Sequence, residues 1–329
     1  MSFRPAPWLP GPHAQTVFAN LWRPPRGLAP RRERWELPDG DFVDVDRHGD
    51  GGGPAVVVLH GLEGSSRAPY VKRLVRALLG NGLSAVALNF RGCSGEENRL
   101  PRLYHSGETG DLDFAVRRLA AERPGRPLGV AGFSLGGNVC AKWLGEGGDR
   151  LPPEVRGGAV ISVPFDLAAC AAAIDGPGFW PAVYRGRFLR MLRRKAVAKA
   201  RRFPGLLDEA ALRAVRSFRE FDDRATAPIH GFAGAADYWA RSSAGPFLGA
   251  VRRPLLALGA ADDPMVPAAS LPVDAARANP SVELEVAPGG GHVGFVEGPP
   301  WRFGFWAERR AAAFLAERLE RLRDRPAGG

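Results

Sequence analysis

Strand-like and helix-like segments alternate along most of this chain, and their order restricts the folds that it can adopt. Ala55–Leu59 is a continuous run of β-branched and apolar residues, which is typical of a strand buried on both faces. Residues 128–133 form a similar run, and segments with apolar residues at helical spacing follow at 70–79 and 135–144. A β-α-β-α order predicts parallel strands with helices on both faces of one sheet. We therefore predict an α/β fold with a mostly parallel central sheet.

The patterns divide the chain into four parts. Residues 1–34 are rich in proline and arginine without a clear period, so we expect an extended N-terminal arm packed on the core. Residues 35–164 and 253–329 carry the strand and helix patterns of that core. Residues 165–252 interrupt them with a helical composition, and we expect a lid over the carboxyl ends of the strands, where ligands bind in open α/β sheets. Further strands are predicted at 35–37, 42–47, 84–90, 158–163, 254–258 and 282–286, and further helices at 111–123, 268–278 and 301–322.

The composition excludes several classes of protein. Of the 329 residues, 45% are hydrophobic and 24% are charged, which is a globular balance. The longest apolar runs fall far short of the roughly 20 residues that cross a bilayer, and the first residues lack the apolar core of a signal peptide. Three cysteines are too few for a disulfide framework and fit a reducing compartment, so we expect a cytoplasmic protein. No cysteine–histidine spacing resembles a zinc site, and we expect no cofactor.

The segment Gly132-Phe133-Ser134-Leu135-Gly136 follows a predicted buried strand and opens a predicted helix. This is the context of the nucleophile elbow G-x-S-x-G, in which a serine sits on a sharp strand-to-helix turn. Side chains two positions before and after the serine would collide with their neighbours, so glycine is needed there. We predict that Ser134 is a nucleophile.

A serine hydroxyl needs a base, and the base needs a carboxylate that fixes its tautomer. His292 lies in a glycine-rich loop after the last predicted strand, and it is our candidate for the base. Asp263 follows the strand at 254–258 and directly precedes a proline, so we predict that it is the acid. Asp262 stays open as the alternative, and Asp166 is a less favoured one.

An oxyanion formed at the site needs two N–H donors. The backbone of Leu135 follows the nucleophile and supplies one. We predict that Leu62, in the loop His60-Gly61-Leu62-Glu63-Gly64 after the first long strand, supplies the other. For His60 itself we favour a structural role in supporting that loop.

Several of these motifs together resemble the α/β-hydrolase superfamily, and within it the YheT-like branch. That branch also contains animal α/β-hydrolase-domain proteins and yeast enzymes that form medium-chain esters. The resemblance covers nearly the whole chain and implies a Ser–Asp–His hydrolase that acts on carboxylic esters. The matching stretches are Gly11-Pro12-His13-Ala14-Gln15-Thr16, residues 60–64, Asn89-Phe90-Arg91-Gly92-Cys93-Ser94-Gly95, His105-Ser106-Gly107-Glu108-Thr109, the elbow and Asp262-Asp263-Pro264.

The expected activity is ester hydrolysis through an acyl-enzyme, on short- to medium-chain acyl esters or lipids. Two alternatives stay open, namely an acyltransferase that passes the acyl group to an alcohol, and a non-catalytic binding protein on the same fold. For His105 and Glu108 we favour a structural role over one in shaping the pocket. For His13, His48 and His230 we expect ordinary polar positions.

The net charge of +10 is concentrated in one stretch. Between 185 and 202 nine basic residues alternate with apolar ones near helical spacing. We favour a lid helix with a solvated charged face. The alternative is that this helix also makes a weak contact with an anionic membrane surface. No motif supports nucleic-acid binding, and no feature of the sequence defines an oligomeric state.

Overall fold

The central sheet of the computed structural model, which describes residues 3–49 and 52–320, has eight strands in the order β1-β2-β4-β3-β5-β6-β7-β8. The first two strands pair antiparallel, β2 also pairs antiparallel with β4, and all the other pairs are parallel. The predicted mostly parallel sheet is therefore confirmed. The strands are β1 (Arg31–Glu36), β2 (Phe42–His48), β3 (Ala55–Leu59), β4 (Ser84–Leu88), β5 (Leu128–Phe133), β6 (Val155–Ile161), β7 (Leu255–Ala260) and β8 (Val282–Ala287).

Helices cover both faces of this sheet. The core helices are α1 (Gly11–Leu21), α2 (Pro69–Gly80), α3 (Gly110–Glu122), α4 (Leu135–Gly147), α11 (Val273–Ala278) and α12 (Trp306–Glu320). Because neighbouring residues of a strand point to opposite faces, Val56 and Val58 pack with α2 and α12, whereas Val57 packs with α3 and α4. Two hydrophobic layers therefore sandwich β3, as its unbroken apolar sequence predicted.

A helical insertion joins β6 to β7. Its helices are α5 (Leu167–Asp175), α6 (Phe179–Arg202), α7 (Glu209–Ala214), α8 (Phe218–Phe221), α9 (Ala227–His230) and α10 (Ala235–Ser242), with a π-helical turn at Asp222–Thr226 between α8 and α9. The insertion has a hydrophobic cluster of its own, which includes Leu189, Leu212 and Trp239. Leu62, from the loop after β3, packs against that cluster, so the insertion lies over the carboxyl end of the sheet.

Three expectations about local structure were wrong. The arm is not wholly extended, because Pro12 at the start and nine following residues without proline permit the helix α1. The helix expected at 268–278 is broken at Pro272, whose ring removes a backbone donor, into a 3₁₀ turn at Ala268–Ser270 and the short α11. The last helix begins at Trp306 rather than 301, because Gly304–Phe305 (β10) pairs with Val296–Glu297 (β9); residues 321–322 of the expected helix lie outside the described residues.

Candidate active site

Ser134 lies on a strained turn between β5 and α4. Its backbone has φ +50° and ψ −121°, a conformation that an L-residue adopts only when its surroundings enforce it. The Ser134 amide donates to the carbonyl of Ile161 at 2.8 Å, which ties the turn to the neighbouring strand. A side chain at Gly132 would overlap the Gly136 carbonyl, and one at Gly136 would overlap the His60 carbonyl. Both glycines of the elbow are therefore required by packing.

The structure brings the three predicted triad side chains together. Nε2 of His292 lies 3.0 Å from Oγ of Ser134, and Nδ1 lies 2.8 Å from Oδ2 of Asp263. Oδ1 of Asp263 accepts from the amides of Met265 and Val266 at 2.8 and 3.1 Å, so the carboxylate is held in place. Since Asp263 follows β7 and His292 follows β8, all three groups meet at the carboxyl edge of the sheet.

The two alternative acids have other partners. Asp262 accepts from the amide of Gly291 at 2.9 Å, and so it holds the backbone of the histidine loop rather than the imidazole. Asp166 caps the N-terminus of α5 by accepting from the amide of Ala169 at 3.0 Å. Among the described residues, Asp263 is the carboxylate that pairs with His292.

The loop after β3 is rigidly supported beside Ser134. His60 is fully buried; its Nδ1 lies 2.7 Å from the Gly61 carbonyl, and its Nε2 accepts from the Phe90 amide at 3.2 Å. Burial lowers the pKa of His60 to about 4, so its ring is neutral and supports the loop through these two contacts. Leu62 and Leu135 both line the cavity that contains Ser134. Within the described residues, neither of their amides donates to another protein group, as an oxyanion site requires.

The N-terminal helix α1 holds the histidine loop, a role that we did not predict. The His292 amide donates to the Thr16 hydroxyl at 2.8 Å, and that hydroxyl donates to the Pro12 carbonyl at 2.7 Å. The side chain of Gln15 accepts from the Val296 amide at 2.7 Å and donates to its carbonyl at 3.2 Å. Thr16 and Gln15 are each more than 270 positions from their partners His292 and Val296. The signal in the sequence that could have indicated these contacts was the family resemblance of residues 11–16.

Sequence comparison with known families fits this geometry. The family described as alpha/beta hydrolase fold matches residues 54–299. The chain belongs to the α/β-hydrolase family. Within it, this hydrolase is 40% identical to the YheT protein of Escherichia coli, over 94% of this chain and 91% of that protein. It is 33% identical to the monoacylglycerol lipase of Saccharomyces cerevisiae, over 86% of this chain and 62% of the lipase. It is 29% identical to the phospholipase ABHD3 of Mus musculus, over 90% and 74% respectively.

Solved structures show the same fold as this α/β hydrolase. An esterase of Pyrococcus furiosus superposes with a TM-score of 0.57 at 20% identity, covering 90% of this chain and 97% of the esterase. The 2,6-dihydroxy-pseudo-oxynicotine hydrolase superposes with a TM-score of 0.56 at 17% identity, covering 94% and 72%. At these identities the likeness concerns the fold alone.

A cavity lies between the insertion and the sheet edge of this hydrolase. Its empty volume is about 1060 Å³ when the adjoining open solvent is included, and Ser134 and His292 lie in its wall. Most of its lining is apolar, and α5, α6, α8 and α10 supply much of it. The apolar lining residues from the insertion include Leu167, Ile174, Phe188, Leu192, Phe218, Phe221 and Trp239. An apolar lining of this kind favours burial of apolar groups over unpaired charges.

Lys195 of α6 connects the insertion to the loop after β3. Its Nζ lies 2.9 Å from Oε1 of Glu63 and 3.0 Å from Sγ of Cys93. The Tyr104 hydroxyl donates to the same Glu63 carboxylate at 2.7 Å and accepts from the Glu63 amide at 2.8 Å. Lys199 likewise points inward, to the carbonyl of Asn98 at 2.8 Å. The basic stretch is therefore not wholly a solvated face, because two of its lysines contact the core.

The other histidines form contacts away from the triad. His105 packs its ring against that of His230 at a centroid distance of 4.5 Å, and its Nδ1 accepts from the Gly107 amide. Glu108 pairs with Arg102. His13, for which the sequence showed no partner, stacks on Trp180 of α6 at 4.4 Å and binds the Tyr184 hydroxyl at 2.9 Å. It joins α1 to the insertion.

Two features are absent from the described residues. No group of three or more histidine, cysteine, aspartate and glutamate side chains there could hold a metal ion. None of the helices over 3–49 and 52–320 combines the length and the apolar character needed to cross a membrane.

Proposed function

We propose that this hydrolase cleaves carboxylic esters through a Ser134–His292–Asp263 triad and an acyl-enzyme. The ester-cleaving class is that of its family, which includes the lipase and the phospholipase above. The single observation that carries the finer proposal is the chain of contacts from Asp263 through His292 to Ser134, at 2.8 and 3.0 Å. These are distances at which protons move between such groups.

The proposed reaction has two halves. Oγ of Ser134 attacks the ester carbonyl while His292 takes its proton, and the amides of Leu62 and Leu135 bind the oxyanion. The oxyanion collapses, the C–O bond breaks, and the alcohol leaves with the proton from His292. Water, deprotonated by the same imidazole, then attacks the acyl-enzyme and releases the carboxylic acid. Asp263 holds the Nδ1–H tautomer and stabilises the imidazolium in both halves.

The apolar lining supports short- to medium-chain acyl esters or lipids as the substrate class. In this proposal the insertion acts as a lid, since its helices line the cavity above the carboxyl edge of the sheet. A cytoplasmic location stays a prediction from the sequence.

Ser134→Ala tests the proposal with p-nitrophenyl butyrate as substrate. We expect kcat to fall by at least about 10³-fold with the melting temperature unchanged, because the nucleophile is removed and only binding and oxyanion contacts remain. Ser281→Ala, at the amino end of β8 and so at the opposite edge of the sheet, is the matched control and should retain full activity. Retention of activity by Ser134→Ala would remove Ser134 from the mechanism.

Product analysis in the presence of ethanol separates hydrolysis from acyl transfer. A hydrolase releases mainly free acid at low ethanol concentration, because water reaches the acyl-enzyme. Predominance of the ethyl ester under the same conditions would instead indicate an acyltransferase that uses the same triad.

A further inference from the structure

Helix α6 (Phe179–Arg202) presents two opposite faces. Phe188, Leu192 and Lys195 line the cavity beside Ser134. At about 100° of rotation per residue, five other positions fall within an arc of about 80° on the far side of the helix. We call them the outer stripe, and all five are exposed: Phe179, Val183, Arg187, Arg190 and Arg194.

The first turns of the outer stripe are apolar. Phe179 is 73% exposed and Val183 is 42% exposed. Two exposed residues at the end of α1 lie beside them: Leu21 is 70% exposed and Trp22 is 44% exposed. Trp180 connects the two pairs, because it lines one groove together with Leu21 and Trp22, and the centre of its ring lies 5.4 Å from that of Phe179. Of the seven large hydrophobic side chains that are exposed in the described residues, four therefore share one patch. Such clustering marks an interaction surface.

The rest of the outer stripe carries positive charge without compensation. Arg187, Arg190 and Arg194 make no ion pair within the described residues, although many other arginines of the chain are paired with carboxylates, as Arg201 and Arg213 are with Glu209. Guanidinium groups bind phosphate oxygens through paired N–H donors. The surface thus combines apolar anchors at one end with free cations along one helix.

We propose that the outer stripe, together with Leu21 and Trp22, docks on an anionic lipid surface. Aromatic and aliphatic side chains that enter the acyl layer beside arginines that meet the phosphates are the chemistry of interfacial helices. A second copy of this chain fits less well, because the stripe contains no carboxylate, so a two-fold contact would give the arginines no opposite charge to pair with. This inference rests on the proposed function in one respect. A lipid surface would supply the ester lipids, and these would enter the cavity that the inner face of α6 lines.

Vesicle sedimentation tests this inference. We expect the full chain to bind vesicles of phosphatidylcholine with phosphatidylglycerol, and to bind pure phosphatidylcholine much more weakly. The triple variant Arg187→Gln, Arg190→Gln, Arg194→Gln should lower the partition coefficient on anionic vesicles about a hundredfold, at roughly tenfold or less per arginine. Phe179→Ser with Val183→Ser should lower it on both kinds of vesicle. High salt should weaken binding of the native chain.

Matched controls separate this inference from the proposed function. A triple replacement by glutamine of three exposed arginines elsewhere, Arg117, Arg213 and Arg277, should leave vesicle binding intact. The stripe variants should hydrolyse soluble p-nitrophenyl butyrate normally, and Ser134→Ala should still bind vesicles. Equal vesicle binding by the native chain and the stripe variants would overturn the inference. It would also be overturned if the native chain bound no vesicles and instead formed a dimer that Phe179→Ser disrupts. A native chain that binds anionic vesicles but turns over no ester would instead overturn the proposed function and leave this inference standing.

Discussion

At the scale of single residues, the site consists of adjacent groups with different roles. The elbow around Ser134 was predictable from the sequence because its glycines and its strand–turn–helix context are local. The choice between Asp262 and Asp263 was less secure, since neighbouring positions on one loop differ only in where their side chains point. In the structure one carboxylate contacts His292 and the other contacts the amide of Gly291.

Asp263→Asn and Asp262→Asn should therefore differ sharply. We expect Asp263→Asn to lower kcat on p-nitrophenyl butyrate by about 10²- to 10⁴-fold, because an amide cannot stabilise the imidazolium and favours the wrong tautomer. Asp262→Asn should lower kcat less than about tenfold, since its amide oxygen still accepts from Gly291. A larger loss in Asp262→Asn would reverse our assignment of the acid.

At the scale of elements, α1 fixes the loop that carries His292. This helix could not be predicted, because a stretch rich in proline and arginine shows no helical period, and because its hydrogen bonds join opposite ends of the chain. Gly291 illustrates the closeness of the packing, since a side chain there would overlap the Pro12 carbonyl. The inward orientation of the Lys195 side chain could not be predicted either, because the period of a helix does not reveal which charged positions contact the core.

Thr16→Val should impair catalysis although Thr16 does not contact Ser134. The variant leaves the buried His292 amide without its acceptor, and the imidazole loses the anchor that holds it toward the nucleophile. We expect kcat to fall about tenfold with KM little changed. Thr16→Ser keeps the hydroxyl and should restore most of the rate; native kcat in Thr16→Val with impairment of Thr16→Ser would show that the methyl group, and not the hydrogen bond, matters.

At the scale of the whole molecule, six parallel strands end at one edge of the sheet, where the groups of the site meet, and the insertion covers them. The order of strands and helices made this architecture predictable, and the fold comparisons confirm it. The contacts inside the insertion were not predictable, because its short helices pack on one another through residues far apart in sequence. Asp222, in the π-helical turn, is one such residue: it accepts from Thr226 and from the Trp239 indole at 2.7 and 2.8 Å.

Asp222 should make the stability of the protein depend on pH. Burial, assisted by the neighbouring Asp223 and Asp175, raises the pKa of Asp222 from 3.8 to about 7. Between these values the folded state holds more protons than the unfolded state, so the free energy of unfolding falls as pH rises and the loss is complete above about pH 7. Asp222→Asn removes this dependence while its amide can serve both partners. Thermal melting should show that the Tm of the variant rises relative to that of the native protein from about pH 4 to pH 8. A difference in Tm that does not change with pH would contradict this account.

The most direct test of the triad is labelling with a fluorophosphonate, which reacts with an activated serine. We predict one adduct per chain, located by peptide mass analysis at Ser134, with no label on Ser134→Ala and much slower labelling of His292→Ala. Stoichiometric labelling of another residue, or a native chain that turns over esters while Ser134 stays unlabelled, would contradict the central claim that Ser134, His292 and Asp263 act together.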